Sequence, residues 1–312
     1  MRGIELSRSF YEEYGLPLLR EEFPEYEGRI AVGIAGKGSE CFGFDDELSR
    51  DHDYKAGFCL WLTEADEEKI GFRLMRAYSH LPKEYRGVKL EAQSACQTGK
   101  FGVRTIDSFF ESTIGIPRAP DSWQQWFYLP EHALAEAVNG AVFRDELGEF
   151  SEIRRSLLQD MPEDVRLKKL AAHLALAAQA GQYNYPRCLK HGEPAAAQLA
   201  LSVFAQHVCR IYFILNGGYC PYYKWAFRAL RENPHGAAPA QQLTELLLRC
   251  SQQSQNENIA LIESISADII AALRRRSLSE SGSDYLEQHA FAVTGKIRSR
   301  EIRDLHIMDF GE

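Results

Sequence analysis

The chain has 312 residues, of which 45% are hydrophobic and 26% are charged, and its formal net charge is −8 at pH 7. This is the composition of an ordinary soluble globular protein, and the length is sufficient for two domains with separate cores. The acidic balance argues against an extended basic surface for duplex DNA or transfer RNA, and it favours a small or cationic substrate.

The sequence also disfavours membrane insertion, export and disulfide bonding. No run approaches the ~20 apolar residues that a membrane-spanning helix needs, and the first residues, MRGIELSRSFYEEYG, contain no apolar signal region. The seven cysteines are an odd number, are scattered and include no Cys-x-x-Cys pair, which argues against a disulfide framework and against a zinc site. We therefore predict a cytoplasmic protein without a membrane partner.

The first half of the chain mixes helical and strand patterns. A helix is predicted over residues 6–23, with a break near Gly15 and Pro17, and a second helix over residues 64–81. Short apolar or aromatic-rich runs predict strands within residues 29–36, 51–62, 87–93, 101–106 and 140–150.

From about Ser151 onwards the strand signals stop. The helical runs that follow cover residues 163–181, 194–216, 239–276 and 283–299. We predict an α+β protein in which residues 1–150 form a mixed sheet with helices and residues 151–312 form an all-α bundle.

The stretch Gly33–Tyr54, GIAGKGSECFGFDDELSRDHDY, is unusually rich in glycine and aspartate. It is not a P-loop, because Gly36-Lys37 is followed by Gly38 rather than by Ser or Thr. It is not a dinucleotide-binding fingerprint either, because the order of its glycines is different and the expected partner strand is missing.

A third interpretation fits the stretch. A predicted strand ends in Gly38-Ser39, eleven residues follow, and Asp51-x-Asp53 then opens the next predicted strand. Side chains at i and i+2 of a strand point to one face, so these carboxylates would lie side by side and suit Mg²⁺. The glycines allow close approach of a triphosphate, whose oxygens backbone N–H groups and the Ser39 hydroxyl can bind. The alternative is a solvated acidic loop.

This pattern resembles the nucleotidyltransferase superfamily, the polymerase-beta-like fold that includes kanamycin nucleotidyltransferase-like proteins. With GQYNYPR and YCPYYKW, the stretch also looks like an uncharacterised bacterial family that joins this domain to a helical domain of unknown function. The resemblance implies Mg²⁺-dependent transfer of a nucleoside monophosphate, AMP being favoured, from ATP or another nucleoside triphosphate to a hydroxyl of a small-molecule acceptor. Asp51 and Asp53 would hold the metal, with a two-metal site expected, and Gly38 and Ser39 would seat the phosphates.

Two features depart from the superfamily pattern. His52 stands between the aspartates where an apolar residue is usual, and we expect it to be packed and hydrogen-bonded rather than catalytic. Asp45 and Asp46 are unusual so close to the site, and we favour a capping or turn role for both.

The resemblance also implies a further carboxylate that acts as metal ligand or general base. Glu91 lies in a strand-like run, whereas Asp107 falls just past a strand end. Kanamycin nucleotidyltransferase-like proteins carry such a glutamate in the helical domain, where Glu193 opens a long helix. An exposed strand glutamate and a helix-dipole carboxylate are the structural alternatives for Glu91 and Glu193.

Two stretches of the helical half combine aromatic and cationic residues. GQYNYPRCLKHGE, Gly181–Glu193, and LNGGYCPYYKW, Leu215–Trp225, both interrupt apolar helices. Aromatic faces can sandwich a base or sugar, and cations can contact phosphate, although tyrosine-rich loops also seal bundle ends. The candidate nucleotide contacts are Tyr183, Tyr185, Arg187, Tyr223 and Lys224.

Two other functions stay open. The chain can be an AMP-transferring regulator of another protein, as nucleotidyltransferase-type antitoxins are, or a regulatory protein that binds a nucleotide without turnover. The intact aspartate pair disfavours the second of these.

Overall fold

A computed structural model describes residues 2–46, 57–89, 101–249 and 254–312. Its contacts divide the chain into two compact units, which we call unit 1 and unit 2. Unit 1 consists of Met1–Pro120 and Ala133–Asp160, and unit 2 consists of Asp121–His132 and Met161–Glu312. The domain boundary after residue 150 stays a prediction beside this division.

The described strands all belong to unit 1. They are β1 (Ala31–Ile34), β2 (Cys59–Leu62), β3 (Glu84–Tyr85), β4 (Val88–Lys89), β5 (Gly102–Thr105) and β6 (Ala141–Arg144). A mixed four-stranded sheet has the order β5-β2-β1-β6, and β3 pairs with β4 in a separate hairpin. The predicted strands that fall on described residues are therefore present, and the sheet is mixed as expected.

The register of the larger sheet brings one end of each of its four strands to the same edge. β1 is antiparallel to both β2 and β6, and β2 is parallel to β5. The paired residues are Gly33 with Cys59, Ile34 with Ala141, and Cys59 with Gly102. The carboxyl end of β1 thus lies beside the amino ends of the other three strands, and we call this edge the glycine end of the sheet.

The described helices are distributed over both units. They are α1 (Gly3–Phe10), α2 (Leu16–Glu22), α3 (Glu64–Ser79), α4 (Ile106–Ile114), α5 (Trp123–Tyr128), α6 (Glu131–Val138), α7 (Glu149–Gln159), α8 (Glu163–Ala177), α9 (Tyr185–Lys190), α10 (Pro194–Asn216), α11 (Tyr223–Glu232), α12 (Ala237–Leu248), α13 (Gln255–Arg275), α14 (Leu286–Thr294) and α15 (Arg300–Arg303). Every regular element described after β6 is a helix, as the sequence predicts.

The predicted break near Gly15 and Pro17 is present as an interruption of the α-helix, although the chain stays helical through it. α1 runs into α2 through a π-helical turn, Tyr11–Gly15, in which the Leu16 N–H donates to the Tyr11 carbonyl. Pro17 lies in the first turn of α2, where its missing N–H costs least. The wider π-helical turn accommodates Pro17, and the chain remains helical into α2.

The core of unit 1 is apolar and strongly aromatic. All residues of β1 and β2 are buried. On one side, the Trp61 indole stacks on the Phe150 ring of α7, with ring centroids 3.9 Å apart and an interplanar angle of 15°. On the other, Phe58 contacts Phe10 and Tyr78 at centroid distances of 5.5 and 5.1 Å. These layers fix the sheet and therefore its glycine end.

The core of unit 2 is built around α8 and α10, which pack against each other and against α14 and α11. Among the described residues, α10 is the one helix long and apolar enough to cross a membrane by length and composition, with a mean hydropathy of 1.3 over an 18-residue window. This corrects the expectation that no run approaches that length. Since 61% of that window is buried inside the structure, α10 here is a core helix.

Candidate functional sites

The chain makes a tight turn where it leaves β1 at the glycine end. Gly36 and Gly38 have φ values of +103° and +115°, which side-chain-bearing residues rarely adopt. The Gly36 N–H donates to Oδ1 of Asn139, and Nδ2 of Asn139 donates back to the Gly36 carbonyl, both at 2.8 Å. Two hydrogen bonds therefore hold the turn to the start of β6.

Ser39 organises the rest of this turn through its backbone. Its carbonyl accepts from the N–H groups of Phe42 at 3.2 Å and Phe44 at 2.8 Å. Gly38 and Ser39 are half-buried, beside the exposed Lys37. The predicted phosphate-seating residues are thus held in a defined turn that a ligand can reach.

The predicted metal ligands Asp51 and Asp53, together with His52 and Glu91, lie outside the described residues. The described chain resumes at residue 57 and enters β2 at Cys59, opposite Gly33 of β1. The described chain therefore re-enters the sheet at the same end as the Gly36–Ser39 turn. As a donor set, two carboxylates two residues apart fit a hard cation such as Mg²⁺; over the described ranges, no cluster of three or more metal-binding side chains occurs.

Two of the acidic residues have structural contacts: Asp45, near the motif, and Asp107, which follows the carboxyl end of β5 at the opposite edge of the sheet. Oδ2 of Asp45 accepts from the Gly3 N–H at 2.8 Å and so caps the start of α1, in line with the expected capping role. Asp107 pairs with Arg118 at 2.8 Å. Burial raises the pKa of Asp107, and the charge of Arg118 opposes that shift. Asp46 is exposed.

Arg154 of α7 stabilises the chain that holds the Gly36–Ser39 turn. It is not among the predicted site residues. Its NH2 group donates to the carbonyls of Val138 at 2.6 Å and Asn139 at 2.7 Å, and burial lowers its pKa. A signal was available, because Arg154 falls on the apolar stripe that contains Phe150 and Leu157. A charge on a buried stripe indicates a specific partner.

The first aromatic stretch of unit 2 is largely engaged with itself and the bundle. The Arg187 guanidinium donates to the Tyr183 hydroxyl at 3.0 Å and lies 5.5 Å from the centre of that ring. Tyr185 is buried, and its hydroxyl accepts from Nδ2 of Asn258 at 3.1 Å. Tyr185 is thus a core residue, and Arg187 and Tyr183 form a surface pair.

Glu193 is exposed at the N-cap of α10 and makes no side-chain capping hydrogen bond there. This position matches the helix-dipole alternative. In the second stretch, Lys224 lies 5.0 Å from the Trp225 ring, and the Tyr223 ring lies 4.4 Å from that of Tyr222.

The two aromatic stretches lie on opposite faces of α10. Gly181 in the first stretch abuts Phe204, whose ring would lie 2.4 Å from an added Cβ. Tyr222 and Tyr223 in the second line a cavity with Gln206. Residues two apart on a helix point about 200° apart, so Phe204 and Gln206 face away from each other. The structure does not bring the stretches together into one wall.

The cavity beside the second stretch has a volume of about 290 Å³. Its walls are aromatic and apolar, with one ion pair. The lining includes His132, Gln206, Arg210, Tyr222, Tyr223 and Glu312.

Unit 2 also contains a polar cluster that was not predicted from the sequence. It consists of the buried residues Glu131, Lys168, Lys169, His173 and His207 and the half-buried Arg210, packed around the segment His306–Glu312. We call this group the interior cluster.

The two lysines of the interior cluster hold main-chain carbonyls. Both are buried, and burial lowers the pKa of Lys168 to about 8 and also lowers that of Lys169. Their acceptors are the carbonyls of His306 (2.5 Å) and Ile307 (3.2 Å) for Lys168, and of Phe310 (2.9 Å) and Leu129 (3.5 Å) for Lys169. A signal was present, because the run LAAHLALAA after these lysines is apolar in all directions and predicts a helix buried on every side.

The two histidines are hydrogen-bonded to each other. Nδ1 of His173 lies 3.0 Å from Nδ1 of His207, so one nitrogen donates and the other accepts. The Phe310 ring packs on His173 at a centroid distance of 4.7 Å. Burial lowers the pKa of His207 to about 4 and that of His173 well below its ordinary value.

The acidic members meet at the start of α6. Oε1 of Glu312 accepts from the Glu131 N–H at 2.8 Å, and its Oε2 accepts from Arg210 at 2.9 Å. Glu131 itself is 3% exposed, and burial raises its pKa to about 7 although the charge of Lys169 opposes this. Its Oε2 has no hydrogen-bond partner among the described residues.

Comparison with known proteins gives a family match and a structural likeness. A family model described as "Domain of unknown function (DUF4037)" matches residues 126–226, which is less than half of the chain. A solved structure titled nucleotidyltransferase-like protein, from Exiguobacterium sibiricum 255-15, is similar with a TM-score of 0.38 and 10% sequence identity. The likeness covers 85% of this chain and 76% of that one. No curated protein matches the sequence.

Proposed function

We propose that the protein is a Mg²⁺-dependent nucleotidyltransferase that moves a nucleoside monophosphate, AMP in our proposal, from a nucleoside triphosphate to a hydroxyl of a small-molecule acceptor. One observation carries this proposal. The Gly36–Ser39 turn follows the carboxyl end of β1, and the described chain resumes at residue 57, just before the amino end of β2, at the same glycine end of the sheet. This supports the motif, in which Asp51 and Asp53 shortly precede β2 in the sequence.

The described residues support a phosphate-binding role for the turn. The positive φ values at Gly36 and Gly38 favour glycine. Because glycine has no side chain, a phosphate can approach the backbone closely there. Asn139 and, through it, Arg154 hold the turn in place, so it does not need to be ordered when a ligand binds. Backbone N–H groups and the Ser39 hydroxyl would contact the phosphate oxygens.

In the proposed reaction, the acceptor oxygen forms a bond to the α-phosphorus while the bond from that phosphorus to the β-phosphate bridging oxygen breaks. Pyrophosphate leaves with the electron pair, and a carboxylate takes the acceptor proton. Asp51 and Asp53 would hold Mg²⁺, which when bound neutralises charge on the triphosphate. Glu91 and Glu193 are the two candidates for the base.

The proposal is tested by pyrophosphate release. Each labelled nucleoside triphosphate is incubated with Mg²⁺ and a panel of hydroxyl acceptors, and wild type is compared with Asp51→Asn/Asp53→Asn. We expect the double variant to lose at least ~1000-fold in turnover, because metal-assisted charge stabilisation supplies several kcal/mol. Asp46→Asn, which makes one such charge change on an exposed residue nearby, is the control and should retain turnover.

Equal turnover in wild type and the double variant would exclude the metal assignment. Triphosphate binding without pyrophosphate release from any acceptor would favour the regulatory alternative, and label transferred only to a protein would favour the protein-modifying one. A large loss of thermal stability in the double variant would mean that the aspartates are structural.

The base is identified by single variants. Removal of the true base should lower turnover by ~100-fold with little change in triphosphate affinity. Glu91→Gln is expected to weaken Mg²⁺-triphosphate binding if Glu91 is instead a metal ligand. Glu193→Gln with unchanged turnover would leave Glu193 as a helix-dipole residue only.

A further inference from the structure

The Glu312 carboxylate is bound in unit 2 as an external anion would be. Each of its oxygens accepts one hydrogen bond from a donor on a different helix: the Glu131 N–H at the start of α6, at 2.8 Å, and the Arg210 guanidinium of α10, at 2.9 Å. The side chains of Arg210 and Glu312 are 25% and 16% exposed. Both donors belong to the span that the family model matches, whereas Glu312 lies outside it.

This carboxylate supplies the ion pair of Arg210, at 2.9 Å. Arg210 and Lys169 are cations that face this group, and the acids are Glu131, Glu312 and, near Lys169, Asp309. Without Glu312 the Arg210 guanidinium would lose its ion-pair partner, and burial already favours the neutral form of the Glu131 carboxyl. An anion at this position therefore balances the charge of Arg210.

An open space adjoins the bound carboxylate. The cavity of about 290 Å³ is lined by both Arg210 and Glu312. Tyr222 and Tyr223 line it as well, and they are 50% and 68% exposed. A ring-bearing ligand can therefore enter over the tyrosines and reach the guanidinium.

We propose that this cavity binds a small organic anion with an aromatic or otherwise flat apolar body, and that Glu312 is the internal competitor for its head group. The ligand's carboxylate or phosphate takes the place of the Glu312 carboxylate on Arg210 and on the Glu131 N–H. Its body lies against Tyr222 and Tyr223. This site is independent of the nucleotidyl transfer proposed for unit 1.

The packing of Gly311 fixes the backbone just before Glu312, whose side chain is the proposed competitor. Gly311 has a φ of +84°, and a Cβ there would lie 1.9 Å from the Phe127 carbonyl oxygen. Phe310 and the two lysines anchor the segment just before it. The segment can thus stay in place while the Glu312 side chain alone moves aside.

The test is calorimetric titration of the whole chain with phenyl phosphate and with phenylacetate. Glu312→Gln should bind at least one probe ~10-fold more tightly than wild type does, because it removes a charge-assisted competitor from Arg210. Glu301→Gln, an exposed carboxylate of α15 in the same unit, is the matched control and should bind as wild type. Tighter binding of phenyl phosphate alone assigns a phosphate ligand, and of phenylacetate alone a carboxylate.

Further variants separate the site from general anion binding. Adding Arg210→Gln to Glu312→Gln should abolish the gain. Benzyl alcohol, the neutral probe, should bind at least ~10-fold more weakly than the better anion. Equal affinity for benzyl alcohol, or a gain that survives Arg210→Gln, would overturn the proposal.

A measurement on wild type covers the case in which Glu312→Gln does not fold. At millimolar phenyl phosphate or phenylacetate, the NMR signals of His132 should shift in a saturable way, because this ring lines the cavity. Unmoved His132 signals at the highest concentration of both probes would also overturn the proposal.

Discussion

The two units place polar chemistry in opposite positions. In unit 1 the candidate residues that the structure describes, Gly38 and Ser39, occupy a half-buried turn at the end of a sheet whose core is aromatic. In unit 2 the described helices enclose two lysines, two histidines and a glutamate. The difference shows that a surface motif can be recognised from residue types and spacing, whereas an interior polar cluster is defined only by packing. Single substitutions can test whether the stability of each unit depends on its own kind of interior.

The largest effect is expected in the aromatic interior of unit 1. Trp61→Ala should lower the free energy of unfolding of this unit by roughly 3–5 kcal/mol, because it leaves a cavity opposite Phe150. Amide hydrogen exchange, which reports on each unit separately, measures the change.

Trp61→Phe is the matched control and should cost less than about 1.5 kcal/mol. The indole Nε1 has no hydrogen-bond partner among the described residues, so no hydrogen bond to them is lost. Equal losses for both variants would show that stacking on Phe150 is not what matters.

The interior cluster should respond to Lys169→Met with a loss of about 3 kcal/mol in unit 2. This variant removes the buried cation whose charge favours the ionised form of Glu131, and it leaves the Phe310 carbonyl without the Lys169 donor. Adding Glu131→Gln should recover part of the loss. If Lys169→Met is as mild as a surface substitution, the contrast between the units fails.

Acid should weaken unit 2 through its histidine pair. His207 has a pKa of about 4 when folded and an ordinary value of 6.5, so the unfolded chain binds the extra proton first. The contribution to stability is present above pH 6.5 and is lost as the pH falls towards 4, by roughly 3 kcal/mol in total. Urea unfolding at pH 7.5, 6 and 4.5, followed by hydrogen exchange, measures this. His207→Gln should flatten the dependence in unit 2.

The smallest effect is expected on the surface of unit 2. Arg300 and Asp304 form an exposed pair at 3.2 Å. Asp304→Asn should change the free energy of unfolding by less than about 0.5 kcal/mol, since exposed pairs contribute little. A larger change in thermal unfolding would mean that α15 supports the interior cluster directly.

Much of unit 1 was predictable because its signals are local. The short apolar runs at β1 and β5 gave the strands, and the apolar spacing of residues 64–81 gave α3. Near Gly15 and Pro17 the α-helix is interrupted by a π-helical turn and does not end, because such a turn can accommodate a proline, which local propensity does not show.

The sequence was less informative about unit 2 for a physical reason. Lys168 and Lys169 precede an all-round apolar helix, and their burial depends on carbonyls about 140 residues away in the chain. The two aromatic stretches look alike, yet the direction of each side chain around α10 decides their neighbours. In the glycine-rich motif, spacing alone predicts Ser39 and the aspartates as site residues, and the aspartates lie outside the described residues.

The chain crosses between the units more than once, and this limits how the helical half can be isolated. A fragment that begins at residue 161 lacks Asp121–His132. It would lose the Leu129 carbonyl and the carboxyl of Glu131, which face Lys169, and the Phe127 carbonyl against which Gly311 packs. A helical fragment with an intact interior must begin near residue 121. It must either include residues 133–160, which belong to unit 1, or replace them by a short linker.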